Sequence, residues 1–191
     1  MDTGQGKWTE PEERRDGFLL ATERLLLREY EPADFDALYP VLSDPETMAH
    51  YPAPFDAERV KGWIRWNCEN YRDHGFGLWA VVLQETGQLI GDCGITLQTI
   101  DAKKLPEIGY HIRKDHWRKG YGSEAAKAVR DWAFRNTDYD ALYSYMKHTN
   151  TASRATAEAL GMAFLKEYPD RVNEITCVYR ITRNTWETTA R

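Results

Sequence analysis

The stretch that most restricts the fold is RKDHWRKGYGS, residues 113–123, which joins a strand-like run to a helix-like one through cations and two glycines. Ahead of it, Glu107 to Ile112 (EIGYHI) has the composition of a strand. Behind it, Ala125, Ala126, Val129, Trp132 and Ala133 recur at helical spacing and predict a helix from Ser123 to about Arg135. Within 113–119 four cations (Arg113, Lys114, Arg118, Lys119) accompany one anion (Asp115), in a chain of net charge −5. Glycines let the backbone approach a ligand without side-chain interference, and the first turn of a helix offers unpaired N–H groups at the positive end of its dipole. The combination reads as a cradle for a phosphate or pyrophosphate; the alternative is a solvated basic turn ahead of a surface helix.

Two familiar phosphate loops do not fit. GxxxxGK[ST], the nucleoside-triphosphate loop, is absent. Gly120 to Ala125 matches GxGxxA, and Asp140 lies 20 residues beyond Gly120. In a dinucleotide fold, however, the glycines follow the strand directly and the acidic residue ends the next strand. Here a charged run intervenes and Asp140 precedes the next strand, so the match reads as coincidence.

The remaining pattern alternates strands and helices. Phe18 to Tyr30 centres on Leu25, Leu26 and Leu27 as a strand, and Pro32 opens a helix bearing Phe35, Leu38, Val41 and Leu42 that closes at Asp44-Pro45. A second helix is predicted from about Asp56 to Asp73, ended by Gly75 and Gly77. Leu78 to Leu83 and Leu89 to Leu97 form a hairpin around Glu85-Thr86-Gly87, with Glu107 to Ile112 as a third strand after a short loop. Leu142 to Lys147 is a strand, Thr151 to Leu160 a helix stopped by Gly161, and Met162 to Glu167 pairs with Val172 to Thr182. This gives an α/β (α+β) fold with a loosely held N-terminal arm over 1–17, one domain over 18–183 and a tail over 184–191.

Composition narrows the partners. A chain of 191 residues with pI near 5.6 has enough length for a core without disulfides and lacks the general basic surface that grips nucleic acid. Cys68, Cys93 and Cys177 are odd in number, form no CxxC pair and have no histidine at finger spacing; they read as buried thiols, with no metal site. The purely apolar run Leu78 to Leu83 falls far short of the roughly 20 residues of a membrane span, and the N-terminal residues lack a secretory apolar stretch, so the expectation is a cytoplasmic protein without a membrane partner. Monomer and homodimer both remain open.

Several segments together resemble the GNAT superfamily of N-acetyltransferases, and within it the RimJ/RimL-type branch that acetylates protein amino termini and various small amines. They are TERLLLREYEPAD at 22–34, GQLIGDCGI at 87–95, EIGYHI at 107–112, WRKGYGSEAA at 117–126 and NTASRATAEALGM at 150–162, in the family's order across residues 20–182. The resemblance implies a mixed, mostly antiparallel sheet of six to seven strands flanked by about four helices, acetyl-CoA as cofactor, and direct transfer to a primary amine through a tetrahedral intermediate. It implies that the backbone of Tyr110 to Ile112 pairs with pantetheine, that the Ile112 N–H polarises the thioester carbonyl, and that amides of Arg118, Lys119, Gly120, Tyr121, Gly122 and Ser123 hold the pyrophosphate. Asn150 matches the residue that contacts the cofactor arm. Trp117 stands where Gln or Arg is usual, and Ala157 where many relatives carry a tyrosine acid.

The chemistry requires a neutral amine, so a base is needed at pH 7. Glu107, on the strand beside the expected thioester, is the first choice as base; the alternative is a strand-edge ion-pair partner. Asp92 in GDCG is a second candidate, with a structural role favoured. Ser153 is a proton donor for the leaving thiolate or a helix-start hydroxyl bonded to backbone. His50, Tyr51, Trp63, Trp66, Asn67, Tyr71 and His111 are candidates to line the acceptor site, between the first two helices and the final hairpin; the alternative is that the tryptophans are core. The acceptor is a small-molecule amine or a peptide N-terminus, which an acidic chain favours weakly by steering when it is cationic. The alternative function is a catalytically silent acyl-CoA-binding sensor, motivated by Ala157.

Overall fold

The computed structural model describes residues 17–189, so all but the last residue of the arm read at 1–17 lies outside it. Eight strands form one sheet: β1 (Leu20–Ala21), β2 (Leu25–Arg28), β3 (Leu78–Leu83), β4 (Leu89–Ile100), β5 (Lys103–Ile112), β6 (Ala141–Lys147), β7 (Ala163–Asp170) and β8 (Glu174–Thr182). Their order is β1-β2-β3-β4-β5-β6-β8-β7, and every neighbouring pair is antiparallel except β5–β6. Five helices flank it: α1 (Phe35–Leu42), α2 (Ala57–His74), α3 (Tyr121–Asn136), α4 (Thr151–Ala159) and α5 (Arg183–Thr189). The mixed, mostly antiparallel architecture is the one expected. The sheet gains a strand because Thr22 turns the chain back, its hydroxyl accepting from Leu25 N, and splits the first run in two. The stretch expected as a tail carries α5, held by Arg183 on the carbonyls of Phe134, Thr137 and Tyr139.

Local chemistry sets the element ends. Asp56 caps α2 by accepting from Arg59 N at 2.8 Å, and Gly75 ends that helix at φ 76, a left-handed conformation suited to glycine. Pro32–Asp34 forms a 3-10 turn before α1, locked by a bidentate Arg28–Asp34 pair at 2.7 and 2.6 Å. The β4–β5 hairpin is longer than the sequence reading gave it. Asp101 and Ala102, both at positive φ, make a tight turn without the glycine or asparagine that signals one.

Strand alternation separates the two faces. Trp79 lies opposite Cys93, and Cys93 opposite Tyr110; this face packs on α3, where Trp132 meets Trp79 edge-on at 4.9 Å. Asp92, one residue from Cys93, faces the other way toward α2, where it meets Trp63. Leu25, Leu27, Val60, Trp79, Ile95 and Val129 are fully buried within the core. Cys93 and Cys177 are buried as expected, whereas Cys68 is half-buried, and all three are unpaired. Cys93 is on the α3 face, with burial holding its thiol well above the usual range.

Asn67 is a strut in this packing. Fully buried on α2, it accepts from Leu78 N at 2.8 Å and donates to Trp63 O at 3.0 Å, while the Tyr71 hydroxyl donates to Leu78 O and accepts from Tyr30 N. Asn67→Ala strands the Leu78 N–H in the core, so a loss of about 1–3 kcal/mol is expected in urea unfolding, with CoA affinity of the folded protein unchanged.

Candidate active site

The site follows from a failure of pairing. Arg113 N donates to Ile90 O at 2.8 Å, which makes 113/90 a hydrogen-bonded pair and puts the backbone groups of 111 and 109 toward β4 as well. Those of Ile108, Tyr110 and Ile112 therefore face β6. Ile108 O is satisfied by Ser144 Oγ at 2.9 Å, but β5 and β6 register only at Glu107 and Tyr143 and then diverge. The N–H groups of Tyr110 and Ile112 open into the resulting gap, while Ile112 O accepts from Trp117 Nε1 at 2.5 Å. A cavity of about 490 Å³ occupies the gap, lined by β5 from Glu107 to His111 and β6 from Ser144 to Lys147.

At its α3 end the loop and helix follow in the order expected, with a shift. The helix begins at Tyr121, two residues earlier than expected, because Gly120 at φ 82 already turns the chain. Among the described residues, the N–H groups of 118 to 123 find no protein acceptor. Of the four cations, Arg113 pairs with Asp115 at 2.9 Å and Lys114 with Asp44 at 2.8 Å, while Arg118 and Lys119 have no carboxylate partner among the described residues. The loop is fixed from outside by a contact the sequence did not disclose. Arg24 reaches Glu124 through Nε at 2.7 Å and Lys119 O at 2.9 Å, lies 4.5 Å over the Tyr121 ring, and is joined on Glu124 by the Thr22 hydroxyl at 2.5 Å. Asn150 caps α4, its Oδ1 accepting from Ser153 N at 3.1 Å, and Ser153 Oγ accepts from the Tyr110 hydroxyl at 3.1 Å. Both residues also line the cavity.

On the α2 face, Glu107 lines the cavity with Thr96, whose hydroxyl donates to Oε2 at 3.2 Å. Burial raises the Glu107 carboxyl to about 7, against smaller opposing effects of Thr96 and His111. His50, Tyr51, Trp63 and His111 line the same cavity. Trp66 does not; it packs on Trp63 at 5.2 Å. Asn67 and Tyr71 do not either, since their polar atoms are spent inside the α2–β3 packing. Tyr145, Tyr168, Asp170 and Asn173 complete the wall from β6 and the final hairpin, placed by sheet register rather than by any local motif. Asp92 is fully buried: Oδ1 accepts from His111 N and Nδ1 at 3.1 and 2.7 Å, Oδ2 from Tyr30 OH and Trp63 Nε1 at 3.1 and 2.9 Å.

Comparison with known proteins agrees with this geometry. The sequence model described as an acetyltransferase (GNAT) domain matches residues 24–163, so the chain belongs to the GNAT acetyltransferase family. YkkB of Bacillus subtilis (strain 168) is 34% identical over 148 residues, 77% of this chain and 86% of YkkB. The N-acetyltransferase p20 of Bacillus licheniformis is 29% identical over 166 residues, 84% of this chain and 92% of p20. The crystal structure of an acetyltransferase from Agrobacterium tumefaciens str. C58 superposes with a TM-score of 0.74 at 32% identity, covering 91% of this chain and 98% of that one. Acetyl-CoA is the family's acyl donor, and the open N–H edge of β5 and the 118–123 cradle fit it. Among the described residues no helix is long and apolar enough to cross a membrane.

The Glu107 shift has a stability consequence. A carboxyl raised from 4.5 to about 7 on folding contributes stability that is complete below about pH 4.5 and lost as pH rises through 7. Glu107→Gln should therefore be more stable than wild type at pH 8, by about 3 kcal/mol, with the gain vanishing near pH 4.5 in parallel urea titrations. Equal differences at both pH values would place the Glu107 proton elsewhere.

Proposed function

We propose that the chain transfers acetyl from acetyl-CoA directly to a primary amine, carried by a small molecule or a peptide N-terminus, in the manner of the RimJ/RimL-type branch. The observation that carries this reading is that Glu107, the open N–H edge of β5 and the acceptor wall of Tyr51, Trp63 and His111 border one cavity. Bound acetyl-CoA supplies an acetyl group already activated as a thioester. The Tyr110 N–H pairs with the pantetheine arm, the Ile112 N–H donates to the thioester carbonyl, and the 118–123 amides with Arg118 and Lys119 hold the pyrophosphate. Glu107 takes the ammonium proton onto its carboxylate, a role suited to a group titrating near 7. Ser153, its N–H capped by Asn150, keeps its own hydroxyl proton for the far end of the gap.

A second reading, a silent acyl-CoA-binding sensor, has one observation in its favour: Ala157 is buried in α4 and offers no acid where relatives carry one. Thiol release from acetyl-CoA over a panel of amines and short peptides separates the two. Amine-dependent release is expected, falling at least tenfold in Glu107→Gln at pH 7 and rising with pH through 7 in wild type. Tight CoA binding with no release for any acceptor would favour the sensor.

A further inference from the structure

Tyr51 lines the acceptor wall, and its hydroxyl continues into the interior through His111. Its hydroxyl lies 2.7 Å from His111 Nε2, and His111 Nδ1 lies 2.7 Å from Asp92 Oδ1, so an unbroken hydrogen-bonded chain runs from the cavity to a fully buried carboxylate. The backbone keeps it in place. A Cβ on Gly91 would overlap His111 O, so the glycine lets β5 lie against β4 at this register, and Tyr30 and Trp63 hold the second Asp92 oxygen. Trp63 and Phe55 enclose the rings, at 5.8 Å from His111 and 5.8 Å from Tyr51 respectively.

We propose that Asp92, His111 and Tyr51 form a proton relay that opens on the acceptor cavity and takes the second proton an ammonium must lose to become an amide. The relay rests on the transfer reading above. In that reaction the acetyl carbon exchanges its bond to sulfur for one to nitrogen; nitrogen loses two protons, sulfur gains one, and one leaves to solvent. Glu107 accepts the first proton and releases it to solvent. The second passes from the acceptor nitrogen to Tyr51 Oη while the phenol proton moves to His111 Nε2, the electron pair left on nitrogen entering the amide. Asp92 keeps the Nδ1 proton and balances the imidazolium. The path then runs in reverse and gives the proton to the departing thiolate; α4 carries a hydroxyl at Ser153 and no acid at Ala157. The direction of each step is supported by the surroundings. Although the Tyr51 ring is partly exposed, loss of water around its hydroxyl, with Glu107 and Asp92, raises the phenol, so it carries its proton at rest; Tyr145 adds to this and Arg59 opposes it. Burial lowers His111, but Asp92, by charge and hydrogen bond, and Glu107 together carry it above the usual histidine value.

The test combines kinetics with a spectroscopic readout. Tyr51→Phe keeps the ring and removes the hydroxyl; His111→Gln removes the proton store. Each should lower kcat at least tenfold with CoA affinity within twofold of wild type, and the double variant should lose no more than the worse single, as for residues acting as one unit. In ¹⁵N spectra, neutral His111 should carry its proton on Nδ1, and Tyr51→Phe should move the Nε2 resonance. An Nε2–H tautomer overturns the relay, since no lone pair would face Tyr51. Full turnover in Tyr51→Phe, or losses that multiply in the double variant, overturns it while leaving the transferase standing. A wild type without thiol release for any amine overturns both. Asp92→Asn, if folded by circular dichroism, should reverse the tautomer and match His111→Gln; if it unfolds, the Tyr51–His111 cycle decides.

Discussion

The structure depends on one interrupted ladder. Among the described residues β5 and β6 are the only parallel neighbours in the sheet, they register at a single pair, and beyond Glu107 and Tyr143 they part. Unpaired strand edges inside a protein are costly, because each N–H and C=O left without a partner loses about 1–3 kcal/mol of hydrogen bonding. Here the chain covers part of that cost with side chains, Ser144 on Ile108 O and Trp117 on Ile112 O, and leaves the Tyr110 and Ile112 N–H groups open. What remains is a donor edge at the mouth of a cavity, with a basic loop and a helix start at one end.

The two faces of β5 then divide the work. Even-numbered side chains point to α3 and α4, where Tyr110 reaches Ser153 and Gly122 lies beside Ile112 and Tyr110. Odd-numbered ones, Glu107 and His111, point to the α2 side with Asp92 and Thr96 across the ladder. One strand therefore presents open backbone N–H groups along its edge and titratable side chains on its α2 face, and the alternation of a pleated strand is enough to do it. The buried Asp92 ties this arrangement to α2 and to the residues after β2 through Trp63 and Tyr30.

The basic loop between β5 and α3 was legible in the sequence because its signal is local: a strand, cations, glycines and a helix in consecutive order. So were most elements, whose periodicities and caps lie within a few residues. The cavity wall on the α2 side was only half legible. Trp63, Tyr51 and His111 fall into it, but Asn67 and Tyr71, read as pocket residues from their position on α2, are turned to Leu78 by the helix rotation that buries Val60 and Ile64. Tyr145, Tyr168 and Asp170 arrive through the register of β6, β8 and β7, and Arg24 meets Glu124 across 100 residues; no local pattern encodes such pairings. The Asp101-Ala102 turn was missed because Ala102 stands where the usual Asp-Gly pair has its glycine.

The central claim is that the open edge of β5 and the 118–123 loop form one cofactor-binding surface. Residue-resolved amide hydrogen exchange with and without CoA tests it directly. The account predicts that the Tyr110 and Ile112 amides and those of residues 118–123 exchange freely without CoA and gain strong protection with it, while His111 N, already bonded to Asp92, changes little. Protection confined to other strands, or amides of Tyr110 and Ile112 as slow without CoA as with it, would contradict the account.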